Sequence, residues 1–235
     1  MKNFDDIIGI KKQENNKYWP EIPNFPYRLL INGGSGTGKT NALINLLSYQ
    51  PDIDKIYLYV KDPYEDKYDY LINKRQKVGI KHFNDPNAFI EYSNNINDVY
   101  KNIDDYNPKK DRKVIIVFDD MIAEKLPNQV TELFIRSRKM NIAVIFISQY
   151  YFRVPKDIRL NSTHYFLFKI PNKRELTQIA VNHSSDIDFK DFKTIYNSAT
   201  KDKHSFLVID TTLPSDHQKR FRKNININTE ENNAD

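Results

Sequence analysis

Tyr27-Arg28-Leu29-Leu30-Ile31-Asn32-Gly33-Gly34-Ser35-Gly36-Thr37-Gly38-Lys39-Thr40 is the stretch whose reading decides the fold. Its first half, Tyr27 to Asn32, is a short apolar run that reads as a strand. Its second half has the spacing Gly-x-x-x-x-Gly-Lys-Thr. From Thr40 to Tyr49 the residues Leu43, Leu46 and Leu47 then fall on one helical face. Strand, glycine loop and helix in that order form a cradle for phosphate. The glycines let backbone amides wrap an anion, and the helix N-terminus points its positive dipole end at it. Gly33, Gly34, Ser35, Gly36, Thr37, Gly38, Lys39 and Thr40 are therefore expected to bind the phosphates of ATP. Lys39 would neutralise the β and γ oxygens, and the Thr40 hydroxyl would face Mg²⁺. A glycine turn that only capped a helix would need neither Lys39 nor Thr40.

The spacing is the Walker A pattern of P-loop nucleoside triphosphatases, and such a site needs an acid at the C-terminal end of a second buried strand. Val114-Ile115-Ile116-Val117-Phe118-Asp119-Asp120 supplies it as a Walker B segment. Asp119 is expected to act on Mg²⁺ through its water shell, with Asp120 polarising the attacking water and Glu124 as the alternative. The next strand, Ile142 to Ser148, ends in Gln149, which can donate to phosphate and accept from water. A strand placed between the two Walker strands with a polar residue at its tip defines the additional-strand class. The basic cluster Arg136-Ser137-Arg138-Lys139 closes the preceding helix. It either favours the helix dipole or reaches a neighbouring subunit's ATP as an arginine finger. Arg159 is a third basic candidate.

Outward from these motifs, strands and helices alternate. Strands are expected at 55–60, 79–83, 113–119, 142–148, 164–170 and 204–211. Helices are expected at 64–77, 86–105, 127–139, 173–183 and 188–197. Continuous apolar runs mark strands covered on both faces, so the fold expected is a three-layer α/β sandwich. Residues 1–26, Pro-rich at their end, read as an irregular arm, 27–222 as the ATPase domain and 223–235 as a tail too polar to fold alone.

Composition excludes several classes. With no cysteine in 235 residues there is neither a disulfide nor a thiolate nucleophile or metal site, and the five histidines show no paired ligand spacing. Apolar runs are far short of the ~18 residues that cross a bilayer, and no signal peptide or membrane anchor is expected. The net charge of +5 permits an anionic partner but suits a solvated basic surface equally well.

The string from Arg136 through Arg138, Ser148-Gln149 and Pro155 to Arg159-Leu160-Asn161 resembles the FtsK and HerA superfamily, specifically the genome-packaging ATPases of large DNA viruses, virophages and polinton-like elements. The resemblance covers about residues 27–210. It implies a RecA-like core that assembles as a homo-oligomeric ring, hexamer or pentamer, and drives double-stranded DNA into a preformed capsid at a capsid or portal vertex. It implies a soluble protein of the host cytoplasm or viral factory, or one associated with the virion. Lys39, Thr40, Asp119 and Gln149 would sit at the nucleotide, with Arg136 or Arg138 supplied in trans. The Asp119-Asp120 pair departs from the Asp-Glu of bacterial relatives. Duplex-contacting loops are sought in 61–70 and 152–159. Two other readings are a small-molecule kinase, for which no lid insertion is evident, and a nucleotide-dependent switch without turnover.

Overall fold

The computed structural model describes residues 19–50, 53–62, 64–75, 90–121, 126–184 and 187–226. The strand read at 79–83 and the candidate base Glu124 lie outside these residues. The elements in chain order are β1 (Arg28–Asn32), α1 (Lys39–Tyr49), β2 (Lys55–Val60), α2 (Asp66–Arg75), β3 (Ile90–Ser93), β4 (Val114–Asp119), α3 (Asn128–Arg136), β5 (Ile142–Ser148), α4 (Lys156–Asn161), β6 (His164–Leu167), α5 (Lys173–His183), α6 (Phe189–Ala199), β7 (Leu207–Asp210) and β8 (Phe221–Lys223).

The strands form one eight-stranded sheet in the order β3-β2-β4-β5-β1-β6-β7-β8. From β3 to β6 all neighbours are parallel, and β7 and β8 add an antiparallel edge. β5 lies between β1 and β4, as the additional-strand reading requires. The continuous apolar runs have the expected cause. Ile116 and Phe118 of β4 and Val144 and Phe146 of β5 face a core closed by α3 to α6. Their sequence neighbours Ile115, Val117, Ile145 and Ile147 face a second core closed by α1, α2 and the segment around Ile22 and Phe25. Strands sandwiched in this way need apolar residues at every position.

The helix expected at 86–105 is corrected within the described residues. Ile90–Ser93 pairs in parallel with Ile56–Tyr59 as β3, and two 3-10 turns follow at Ile96–Asp98 and Ile103–Tyr106. Asn95 and Asn102 accept from the amides of Asn97 and Asp104 at 3.0 and 3.1 Å. Short amide side chains that bond their own backbone compete with a continuous helix. The C-terminal end of the helix read at 127–139 also tightens, into a 3-10 turn at Ser137–Met140. The Pro-rich segment before β1 has no regular element, yet Ile22 and Phe25 are buried, and Arg222 of β8 donates to the Pro20 carbonyl at 2.7 Å. Lys223, read as the head of the tail, is the last residue of β8.

Within the first core the His183 ring lies 4.0 Å from that of Tyr165, and its Nε2 bonds the Tyr151 hydroxyl at 2.9 Å. Burial, then the positive charges of Arg159 and Arg220, pull its pKa down to about 3 from 6.5. The folded protein therefore binds fewer protons than the unfolded chain between these values, so stability rises with pH across that window. Thermal melts are expected to show the unfolding temperature falling steeply as pH drops below about 6.5. In a His183→Gln variant, less stable at neutral pH, the slope should be shallower; an unchanged slope would remove His183 as its source.

Candidate functional site: a phosphate cradle at the strand ends

The glycine loop leaves β1 under tight constraint. The Gly33 amide donates to the Ser148 carbonyl at 3.3 Å, and the Asn32 carbonyl accepts from the Phe168 amide at 2.8 Å. A Cβ on Gly33 would stand 2.4 Å from the Phe168 Cβ, so no side chain fits there. At the other end of the loop Gly38 has φ +107, which favours glycine, and its carbonyl receives the Ala42 amide as α1 begins. No side chain caps α1 and its first turn holds no acid, so its N-terminal amides are available to an anion.

Lys39 bends back across this loop and donates from Nζ to the carbonyls of Gly33 and Gly34, both at 2.8 Å. Burial lowers its pKa, and the charges of Asp119 and Asp120 partly oppose that effect. The Thr37 hydroxyl donates to the Gly34 carbonyl at 2.8 Å, and His204 Nδ1 lies 3.1 Å from the Thr37 carbonyl. His204 therefore belongs to the loop's surroundings, although its position in the sequence, 167 residues away, carried no signal.

The two acids stand at the end of β4, one strand away. In-register pairing sets Asp119 beside Ile147, and Ser148 beside Asn32. Burial raises the Asp119 pKa to about 6 against the opposing pull of a Tyr68 hydrogen bond and the Lys39 charge. Asp120 has φ +54, a left-handed conformation that aspartate tolerates better than bulky or β-branched residues. Its amide donates to the Ile147 carbonyl at 3.2 Å. Its carboxylate accepts from Gln149 Nε2 at 3.1 Å and Lys61 Nζ at 3.4 Å. The strand tips thus bring together Asp120 and Gln149, which the sequence paired only by analogy. Lys39, Thr40, Asp119, Asp120 and Gln149 all line one cleft of about 460 Å³.

The arginines lie elsewhere. Arg136 is held on the surface by Glu132 and by Asp104 at 3.7 Å. Arg138 lines a separate cavity of about 390 Å³ with Arg28, Thr163 and His164, at the opposite, N-terminal ends of β1 and β6. No ion pair to Arg138 occurs among the described residues, and its charge, after burial, is what lowers the Arg28 pKa. Arg159 donates to the Val154 carbonyl at 3.0 Å and stacks over Tyr151. None of the three lines the phosphate cleft of its own chain. In the two segments read as duplex contacts, Tyr64, Tyr70 and Phe152 are exposed but Tyr68 is buried.

This arrangement has known counterparts. The profile of the family described as "Poxvirus A32 protein" matches residues 17–234. The chain belongs to that family. It is 30% identical over 165 residues to the DNA packaging protein OPG160 of vaccinia virus (strain Copenhagen), and 28% identical over 165 residues to that of variola virus. Each alignment covers 67% of this chain and 58% of the relative, so the chain spans less than two thirds of these curated relatives. Among solved structures it resembles the DNA-packaging ATPase B204 of Sulfolobus turreted icosahedral virus, with a TM-score of 0.59 at 15% identity over 86% of this chain and 98% of that one. The genome packaging NTPase B204 of Sulfolobus turreted icosahedral virus 2, in complex with AMP, matches with a TM-score of 0.59 at 12% identity over the same shares. At such identities the likeness speaks for the fold. The kinship with viral DNA-packaging proteins that the motif string suggested is borne out at the level of the family.

The loop geometry makes a graded prediction. Gly33→Ala must push apart β1 and the chain at Phe168, and a cost of about 1–3 kcal/mol is expected together with weakened nucleotide binding. Gly36→Ala has open space around it and only its φ of +69 to oppose it, so a smaller cost of about 1 kcal/mol is expected. Denaturant unfolding of both variants checks the order; equal losses would show that the contact with Phe168 does not constrain the loop.

Proposed function

We propose that the chain is an ATP-hydrolysing DNA translocase that packages double-stranded viral DNA into a preformed capsid. It would act as a homo-oligomeric ring, hexamer or pentamer, at the capsid or portal vertex, in the host cytoplasm or viral factory. The observation that carries this reading is the single cleft where Lys39, Thr40, Asp119, Asp120 and Gln149 meet at the C-terminal strand ends, in a chain of the Poxvirus A32 protein family. The name of its relatives, DNA packaging protein, supports the cellular task. Among the described residues no helix is long and apolar enough to cross a membrane.

In this reading the loop of residues 33–40 holds the triphosphate, with the amides of Gly33 and Gly34 bonded to the Ser148 and Lys169 carbonyls and the amides that follow left for phosphate. The Lys39 ammonium exchanges its two carbonyl partners for β and γ oxygens, a charge-assisted contact worth more than the bonds it leaves. The Asp120 carboxylate accepts the proton of an attacking water, and Gln149, already bonded to it, orients that water or the γ-phosphate. Its left-handed backbone fits a functional position, since local strain of this kind is retained where geometry matters.

Thr40 and Asp119 offer a hydroxyl and a carboxylate, hard oxygen donors that suit Mg²⁺. With only these two donors from the chain, an Mg²⁺ ion would complete its shell with phosphate oxygens and water. When bound, Mg²⁺ neutralises charge on the β and γ oxygens. Arg138 lies at the opposite edge of the sheet and can serve only a neighbouring protomer's cleft. Arg136 is already paired to two acids.

Lys39→Ala is expected to abolish hydrolysis without loss of fold, and Asp120→Asn to cut turnover by about 10²-fold or more while nucleotide affinity changes little. Duplex DNA should stimulate the wild type. Phosphate transfer to a small acceptor would point instead to a kinase, and tight binding with no hydrolysis to a switch.

Arg138→Ala should bind ATP and hydrolyse it poorly, because a trans arginine is worth ~10³ to 10⁵ in rate. Mixing it with Lys39→Ala should restore part of the activity, since some interfaces then join an intact Lys39 to an intact Arg138. Wild-type turnover by Arg138→Ala alone under DNA stimulation would remove this residue from the role.

A further inference from the structure

Tyr68 is buried in the second core, 2% exposed, against the α1 and β4 side of the sheet. Packing alone would be served by phenylalanine. A buried hydroxyl must find partners, and most find a backbone carbonyl or water. The Tyr68 hydroxyl instead donates to Oδ2 of Asp119, and Tyr68 lines the same cleft as Thr40. It thus stands in the cleft beside the two residues read as cation ligands and is hydrogen-bonded to one of them, Asp119.

We propose that Tyr68 is a positioning residue for the cation site. The Tyr68 hydroxyl donates to Oδ2 of Asp119 and so fixes the carboxylate's rotation, which leaves Oδ1 turned toward the phosphates and the Thr40 hydroxyl. The inference rests on the reading of the cleft as a magnesium-nucleotide site. Its geometry is favourable for two reasons. The ring is clamped by the core, so the hydroxyl has little rotational freedom and fixes rather than follows its partners. It also occupies one lone pair of Oδ2, which holds the Asp119 carboxylate in one orientation and leaves Oδ1 open to outer contacts. Tyr68 lies on α2 just beyond the exposed Tyr64 and beside Lys67, so the helix that carries one candidate duplex-contacting surface also holds the Walker B acid.

The test uses Tyr68→Phe in the full chain, with Tyr59→Phe as a matched control. Tyr59 is also buried and its hydroxyl bonds that of Tyr106 at 2.6 Å, away from the cleft. Nucleotide affinity is measured with a non-hydrolysable ATP analogue in chelator, and cation affinity by titrating Mn²⁺ into the protein–analogue complex and following its electron paramagnetic resonance signal. Tyr68→Phe is expected to bind Mn²⁺ about 10-fold or more weakly, as loss of an outer-shell partner does. Its metal-free nucleotide affinity should stay within about 2-fold of wild type. Tyr59→Phe should change neither. Wild-type Mn²⁺ affinity in Tyr68→Phe would overturn the inference and leave the nucleotide site standing. So would an equal loss in Tyr59→Phe, which would mark the effect as general loosening of the core. A wild-type protein that bound neither analogue nor Mn²⁺ would overturn the reading of the site, and this inference with it.

Discussion

Everything at this site depends on how closely β1 is held between β5 and β6. Parallel pairing on both sides fixes the height at which each strand ends, so Asn32, Ser148 and Leu167 finish level. The chain leaving β1 then has Phe168 against it on one side and Ser148 on the other. That crowding removes any side chain from Gly33 and ties the start of the loop down on both sides, with the Gly33 amide on the Ser148 carbonyl and the Gly34 amide on that of Lys169. The same register, carried one strand further, lifts Asp119 beside Ile147 and delivers Asp120 and Gln149 to a common point.

Electrostatics then opposes burial within a small volume. A half-buried ammonium and a buried carboxylate are each costly to keep charged, and each is shifted toward its neutral form by desolvation. Each is also the other's remedy, since Lys39 lowers the Asp119 pKa and Asp119 raises that of Lys39. The carbonyls of Gly33 and Gly34 and the Tyr68 hydroxyl complete the arrangement with hydrogen bonds.

The separation of the arginines has a geometric cause. Arg28 opens β1 and Gly33 follows its end, so the strand's length of about 17 Å, at 3.3 Å per residue, lies between the Arg28–Arg138 cavity and the phosphate loop. No side chain spans that distance. A cationic group from this edge can meet a nucleotide only where a second copy presents its own strand ends, so the sheet's dimensions alone tie any such role to assembly.

Local sequence determined the phosphate loop, the Walker strands and most helices, because each rests on short-range chemistry. Glycines answer a backbone demand, Lys39 and Thr40 a phosphate demand, and a run such as Val114–Phe118 the demand of a strand covered on both faces. Local reading failed at residues 90–106, where Asn95 and Asn102 turn the chain and pairing with β2 decides for a strand. It also treated Tyr68 as part of a polar helix start, since nothing in its neighbours reveals that α2 packs it against β4. Only the tertiary structure brought His204 to the loop and Tyr68 to Asp119, and only it sent Arg138 to the opposite, N-terminal ends of the central strands. The physical reason is that strand order and register, which arise from the collapse of the whole sheet, set distances between residues far apart in the chain.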